Sequence, residues 1–391
     1  MVAPYYNICV MYFPEHQQKH MYIRTGKGGK GIHMQQTDSK PPRSEAGSII
    51  RPGTEIIGAA SVVGGREHEG PLGDRFDFYN PKDRFGEDTW EKAESEMQRM
   101  ALSAAMHKAG VREEEVDLLF AGDLLNQCVG SSYGLEAYKI PYLGLYGACS
   151  TSAEGLLLAS AMVGAGYASC AAAVTSSHNA AAERQFRTPL EYGGQRPQSG
   201  QWTVTGAGAF IITPACSKGG CPIYAPGVRP LARVSAALPG LVLDRGVTDP
   251  NNMGAAMAPA AESTLCRFFA ASGTGPDNYD LIVTGDLGWE GSRILCDLMD
   301  THGYDIRKKH NDCGMMIYTK NTQDTHSGGS GCGCGATVLA SYLLPKLAAG
   351  EIHRLLFMAT GALMSPDSVK QGLSIPGVAH LLCLEAPGAQ V

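Results

Sequence analysis

Residues 146–154 read Tyr146-Gly147-Ala148-Cys149-Ser150-Thr151-Ser152-Ala153-Glu154. The run 141–145 before them is short and apolar and reads as a buried strand. Residues 155–163 after them are small and apolar and read as a packed helix. Cys149 therefore stands where a strand turns into a helix, with Ser150, Thr151 and Ser152 as candidate N-caps. A helix N-terminus offers free N–H groups and a positive dipole end, which favours thiolate over thiol and prepares a nucleophile. The competing reading is a small buried hydrophobe at a tight corner. The rest of the chain has to decide between them.

At 391 residues the chain has room for two domains or one large double one. A net charge of −6 without a basic stripe excludes a nucleic-acid partner. Twelve cysteines are scattered, several of them in apolar runs (Cys170, Cys296, Cys383), with no secretory signal ahead of them. That usage indicates reduced, intracellular thiols. Residues 156–174 carry no charge and approach the length of a bilayer span. Gly164, Gly166, Tyr167 and Ser169 interrupt them as helix, turn and strand would, so a soluble chain is expected. Residues 1–48 form an extension with no sustained periodicity. The Gly/Lys run 26–31 resembles a translated ribosome-binding site, so Met34 is expected as the true start; the alternative is a disordered natural tail.

From residue 49 onward two halves share one pattern, and a boundary near 240 divides them into 49–240 and 241–391. Residues 91–109 have helical spacing, with Met97, Met100, Ala101, Ala104 and Ala105 on one stripe. The strand 116–122 runs into Gly122-Asp123-Leu124, and far downstream the strand 279–287 ends in Gly285-Asp286-Leu287. Cys149 and its helix lead through a turn to the strand 171–175. Likewise a helix at 331–344 leads through the charged turn 346–354 to the strand 355–360. Two strand–helix–strand halves imply a duplicated α/β chain with mixed sheets covered by helices. Ligand sites then fall at strand carboxyl ends near the pseudo-twofold, where Cys149 stands.

A duplicated α/β chain with Gly-Ala-Cys-Ser at a strand–helix corner resembles the thiolase fold. The glycine turn 205–212 and the closing unit 328–366 match it as well. The expected architecture is thus a thiolase-like duplicated α/β/α/β/α fold with mixed sheets. Within that fold the chain is similar to the stage V sporulation protein AD family. The stretches that carry this are 69–73 (Glu-Gly-Pro-Leu-Gly), 121–127 (Ala-Gly-Asp-Leu-Leu-Asn-Gln), 147–152 and 175–187, with 191–197, 253–261, 309–318, 328–334 and 359–366. They cover about 55–386; the N-terminal stretch and the loop 216–230 depart from it. The resemblance implies binding of pyridine-2,6-dicarboxylate (dipicolinate), alone or as its calcium chelate, during import into the developing spore. It also implies membrane subunits of the spore dipicolinate channel as partners, a homodimer, and no cofactor or resident metal. The location implied is cytoplasmic, peripheral to the inner spore membrane through protein contacts, since no amphipathic basic helix is present to hold lipid.

Condensing relatives stabilise an oxyanion and a carbanion with two histidines, or a His and an Asn, beside the nucleophile. The resemblance places Asp286 at the first of these positions and Ser330 at the second. The nucleophile is kept and its partners are lost, so the expectation is a catalytic fold reused for binding. The alternative is a ketoacyl-synthase- or thiolase-type condensing enzyme using Cys149, with His310 and Cys313 as a rearranged set. His310, Cys313, Cys332 and Cys334 do not match the usual zinc spacings. The run Cys332-Gly333-Cys334-Gly335 reads instead as small residues where a helix start packs on the other half. Glycine runs at 206–208 and 328–335 lack the acidic residue of a dinucleotide site. The polar segment 176–196 follows the strand that ends at the Cys149 mouth, and arginine forks with amide donors suit a planar dicarboxylate. The competing reading is a charged surface loop, with Glu183 paired to Arg187. The expected ligand-binding set is Cys149, Ser150, His178, Asn179, Arg184, Arg187, Asn126, Asp286 and Ser330.

Overall fold

The computed structural model describes residues 49–186, 196–215 and 227–388. The readings made on residues 1–48 and on Arg187 lie outside them. The N-terminal half supplies β1 (Thr54–Gly64), β2 (Phe78–Asn80), β3 (Leu118–Gly122), β4 (Tyr142–Gly144), β5 (Ala171–Ser177), β6 (Trp202–Thr203) and β7 (Gly206–Pro214). The C-terminal half supplies β8 (Ala232–Leu238), β9 (Leu281–Thr284), β10 (His310–Asp312), β11 (Gly329–Ser330), β12 (Arg354–Ala362) and β13 (Gly377–Glu385).

The duplication read from the sequence is visible in the strand order. One half runs β4-β3-β5-β7-β1 and the other β10-β9-β12-β13-β8. In both, the first two pairs are parallel and the last two antiparallel. The halves meet edge to edge where β1 pairs with β8 at Thr54↔Val234, Glu55↔Arg233 and Ile56↔Ala232, giving one 11-stranded sheet with β2 as a side branch on β1. β8 falls before residue 240 in the chain, yet its place in this order is that of the first strand of the second half.

Helices make the remaining layers. The helix Thr151–Gly164 and the helix starting at Cys332 touch strands of both halves and lie between them. That is why these segments are rich in Ala, Gly and Ser and buried nearly all round. Trp90–Ala109 covers the N-terminal strands with Met97, Ala101, Leu102 and Ala105, all fully buried. Thr89 caps its start by accepting from the Lys92 N–H at 3.3 Å, and Gly110 ends it at φ 62°. Met253–Ser272 and Gly288–Thr301 cover the C-terminal strands. Among the described residues no helix is long and apolar enough to cross a membrane; residues 156–174 resolve into helix, turn and β5.

One strand differs from its sequence reading. Within residues 141–145 only Tyr142–Gly144 form β4, and it is the edge of the sheet, with Tyr142 and Leu143 exposed, not a buried strand. A short apolar run looks the same whether a neighbouring strand covers it or not.

The halves approach closely where the glycine run 328–335 meets β5 and β7. A Cβ built on Gly333 would lie 2.3 Å from the Gly206 carbonyl oxygen and 2.9 Å from the Ser177 nitrogen. Backbone cannot yield as a side-chain tip can. Gly333→Ala should therefore lower stability by about 1–3 kcal/mol, as overpacking does. The midpoint of urea unfolding checks this, and an unchanged midpoint contradicts the packing described.

Candidate functional site

Cys149 is buried at the start of the helix Thr151–Gly164, behind Ala148, whose φ of 50° is in the left-handed region. A non-glycine residue in that region is held there by its surroundings at some cost. The serine and threonine after Cys149 do not cap the helix as the sequence suggests. Ser150 Oγ donates back to the Gly147 carbonyl at 2.6 Å, and Thr151 Oγ1 donates to the Ala148 carbonyl at 2.6 Å. Both hydroxyls tighten the corner, which leaves Ser150 out of the pocket. On the far side Gly361 of β12 lets the corner approach: a Cβ there would meet the Gly147 oxygen at 2.3 Å.

The second half completes the site. Asp286 follows β9 and is buried; its carboxylate accepts from Thr360 Oγ1 at 2.7 Å, from Ser330 Oγ at 3.1 Å and from the Gly331 N–H at 3.1 Å. The Cys149 thiol faces the same carboxylate, with its Sγ 3.8 Å from Ser330 Oγ. Three of the expected residues, Cys149, Asp286 and Ser330, thus converge from both halves. Burial, then the charge of Asp286, push the thiol well above its ordinary pKa, while Ser330 and the Gly331 N–H pull it back less. This corrects the expectation of a thiolate: the helix N-terminus is outweighed by burial and a facing carboxylate. Burial also raises Asp286, against the donors that hold its charged form.

The cavity over this cluster encloses about 50 Å³. Leu124, Ala182 and Glu183 line it, with Thr203, Met253 and Met364. Sequence reasoning missed most of these, since apolar lining leaves no pattern distinct from core. The Glu183 carboxylate accepts from Thr203 Oγ1 at 2.8 Å. No Lys, Arg or His is among the described residues lining this cavity.

The remaining expected residues lie elsewhere. His178 is fully buried, donates from Nε2 to the Asp83 carbonyl at 2.8 Å and packs on Trp90, and burial lowers its pKa. Asn179 Nδ2 donates to the Thr203 carbonyl at 3.1 Å. Arg184 is exposed and pairs with Glu91. Asn126 is exposed, its backbone N–H donating to Gln185 Oε1 at 3.2 Å. On the helix Asn179–Phe186, Asn179 and Arg184 are thus held to Thr203 and Glu91, directions that spacing alone does not reveal. His310 reaches Thr284 Oγ1 at 3.1 Å and not Cys149, and burial drops its pKa to about 4. Cys313 is buried as well, and burial pushes its thiol well above the ordinary range.

Asn179 borders a second, larger cavity of about 510 Å³ beside Arg66, Glu67, Asp83, Trp90 and Trp202. The Arg66 guanidinium lies 4.0 Å over the Trp202 ring. Glu67 accepts from Tyr318 Oη and from the Thr205 N–H, and burial pushes its pKa up to about 7.

Residues 46–385 match the family model described as stage V sporulation protein AD. The chain belongs to that family. It is 43% identical over 333 residues to stage V sporulation protein AD of Bacillus subtilis (strain 168), covering 85% of this chain and 94% of the relative. Membership implies a role in sporulation. Solved structures with the same fold include 3-oxoacyl-[acyl-carrier-protein] synthase III from Aquifex aeolicus VF5, at a TM-score of 0.51 and 14% identity over 85% of this chain and 100% of that one. Human mitochondrial 3-ketoacyl-CoA thiolase matches at a TM-score of 0.52 and 12% identity over 86% and 99%. The fold is therefore thiolase-like, as the sequence resemblance implies; its solved neighbours are enzymes, whereas the family carries the name of a sporulation protein.

The thiol's protonation gives a direct test. A thiol held up by burial and by Asp286 should react slowly with iodoacetamide at pH 8, with a rate still climbing above pH 9. In Asp286→Asn the facing charge is gone, the pKa falls, and alkylation of Cys149 at pH 8 should quicken about tenfold, the effect of one pKa unit on the thiolate fraction. Peptide mapping reads the rate. Equal rates in the two proteins would assign the shift to burial alone.

Proposed function

We propose that the chain is a non-catalytic binding subunit for dipicolinate, serving its uptake into the developing spore together with membrane partners at the inner spore membrane. One observation carries the reading. A buried carboxylate, Asp286, faces the Cys149 thiol where acyl transfer needs donors aimed at a growing negative charge. An acid there raises the cost of the thiolate and of any enolate or oxyanion formed next to it.

For a ligand the same pocket offers the hydroxyls of Tyr146 and Thr203 from one half and of Ser330 from the other. Its free volume of about 50 Å³ holds only a few waters, so a ring dicarboxylate requires the mouth to open. Met253 and Met364, flexible thioethers at that mouth, are the side chains suited to move. Calcium arriving as the chelate would offset the ligand's two charges and find oxygen, its preferred kind of ligand, on Glu183 in the lining. The exposed edge of β4, with Tyr142, Leu143 and Tyr146, is the surface that fits a second copy of the chain.

Two observations favour other readings. The larger cavity holds Arg66, a fork for a carboxylate, and has the volume the Cys149 cavity lacks. The strained Ala148 and the helix start behind Cys149 are what a condensing enzyme would use.

Calorimetry of dipicolinate, with and without calcium, separates the two locations. Met364→Trp narrows the Cys149 mouth and should weaken binding at least about tenfold, or 1.4 kcal/mol, while Arg66→Gln should change it less than about twofold. The reverse pattern moves the ligand to the Arg66 cavity. Absence of heat with wild type, with and without calcium, would contradict the binding reading itself.

A further inference from the structure

We propose a metal site that is separate from both cavities, formed by Glu262, Cys266 and His302 and suited to a zinc-type divalent cation. Glu262 and Cys266 are four residues apart on the helix Met253–Ser272, which stacks them on one face. His302 closes the neighbouring helix Gly288–Thr301, its backbone N–H bonded to the Met299 carbonyl at 3.1 Å. From there its Nε2 reaches Glu262 Oε1 at 2.8 Å. Cys266 Sγ lies 3.9 Å from Met299 Sδ, which holds the thiol against the second helix. One ligand atom from each of the three residues lies within 4.8 Å of the other two.

The donor set decides the class of ion. Oxygen, nitrogen and sulfur together suit zinc, with bonds of about 2.0–2.3 Å, which put tetrahedral ligands roughly 3.3–3.8 Å apart. The His302 side chain is 50% accessible, so its ring is free to rotate and widen the 2.8 Å contact with Glu262 to that spacing. Calcium and magnesium prefer all-oxygen shells and are disfavoured by the thiolate and imidazole. Three protein ligands leave a fourth position on the solvent side for water. On binding, the Cys266 S–H bond breaks, sulfur keeps the electron pair and donates it to the metal, and the proton passes to solvent.

The site lies away from the Cys149 pocket. Cys266 stands roughly 20 Å along the same helix from Met253, at 1.5 Å per residue. A metal here would tie together the two helices that cover the C-terminal strands and would stabilise the fold by mass action. The alternative is a Glu262–His302 ion pair with a bystander thiol.

Cobalt titration of the chelator-treated full-length protein distinguishes them. The site predicts one Co2+ per chain at micromolar concentration, a near-ultraviolet thiolate-to-metal absorption band and visible bands of four-coordinate cobalt. Zinc should displace the cobalt; millimolar calcium and magnesium should not. Cys266→Ser should abolish the near-ultraviolet band, and His302→Gln should weaken binding at least about tenfold. Zinc should raise the Tm of wild type and leave that of Cys266→Ser unchanged, while both proteins melt alike without metal. A band that survives Cys266→Ser, or no stoichiometric cobalt at all, overturns the proposal.

Discussion

The Asp286 carboxylate is the constraint around which the site is assembled. A buried charge of this kind costs several kcal/mol unless donors surround it. Here they come from separate elements: Thr360 on β12, and Ser330 and the Gly331 N–H at the entry to the closing helix. Satisfying one acid thereby fixes the ends of β9 and β12 and the start of that helix against each other. Cys149 is the contribution of the N-terminal half to the same point. The junction between halves is thus polar at its centre and close-packed around it, with Gly333 and Gly361 allowing backbone to meet backbone.

The duplication explains why an acid is there at all. Asp123 follows β3 as Asp286 follows β9, and each is the central residue of a Gly-Asp-Leu segment. Asp123 serves its own half: it accepts from the Leu125 N–H at 2.8 Å and from the Ser131 N–H and hydroxyl at 2.7 and 2.6 Å. Its counterpart is turned to the interface between halves, where its field acts on a thiol. The same local motif clamps a turn in one copy and sets the electrostatics of a pocket in the other.

Much of this was legible in the sequence, because strand–helix alternation and repeated Gly-Asp-Leu segments follow from backbone periodicity. The corner at Cys149 was legible too, as was its meeting with Asp286 and Ser330. What escaped depends on direction and distance across the fold. His178, Asn179 and Arg184 follow the right strand, yet their side chains bond to Asp83, Thr203 and Glu91. The state of the thiol was misread because the helix N-terminus is a local feature while Asp286 comes from the other half. The edge position of β4 was hidden because an exposed apolar strand and a covered one share a composition. The Glu262–Cys266–His302 cluster joins two helices, and no spacing in the chain announces the third member.

A fold whose solved neighbours include condensing enzymes here sets a buried thiol, its pKa pushed well up, against an acid. On the proposed account the pocket keeps the shape and the donors of its architecture and has given up the charge pattern that acyl transfer needs. Intact-mass spectrometry after incubation with acetyl-CoA tests this most directly. The account predicts that wild type and Cys149→Ala return the same unmodified mass. A stoichiometric acetyl adduct that appears in wild type and is missing from Cys149→Ala would contradict it and make the chain an acyl-transferring enzyme.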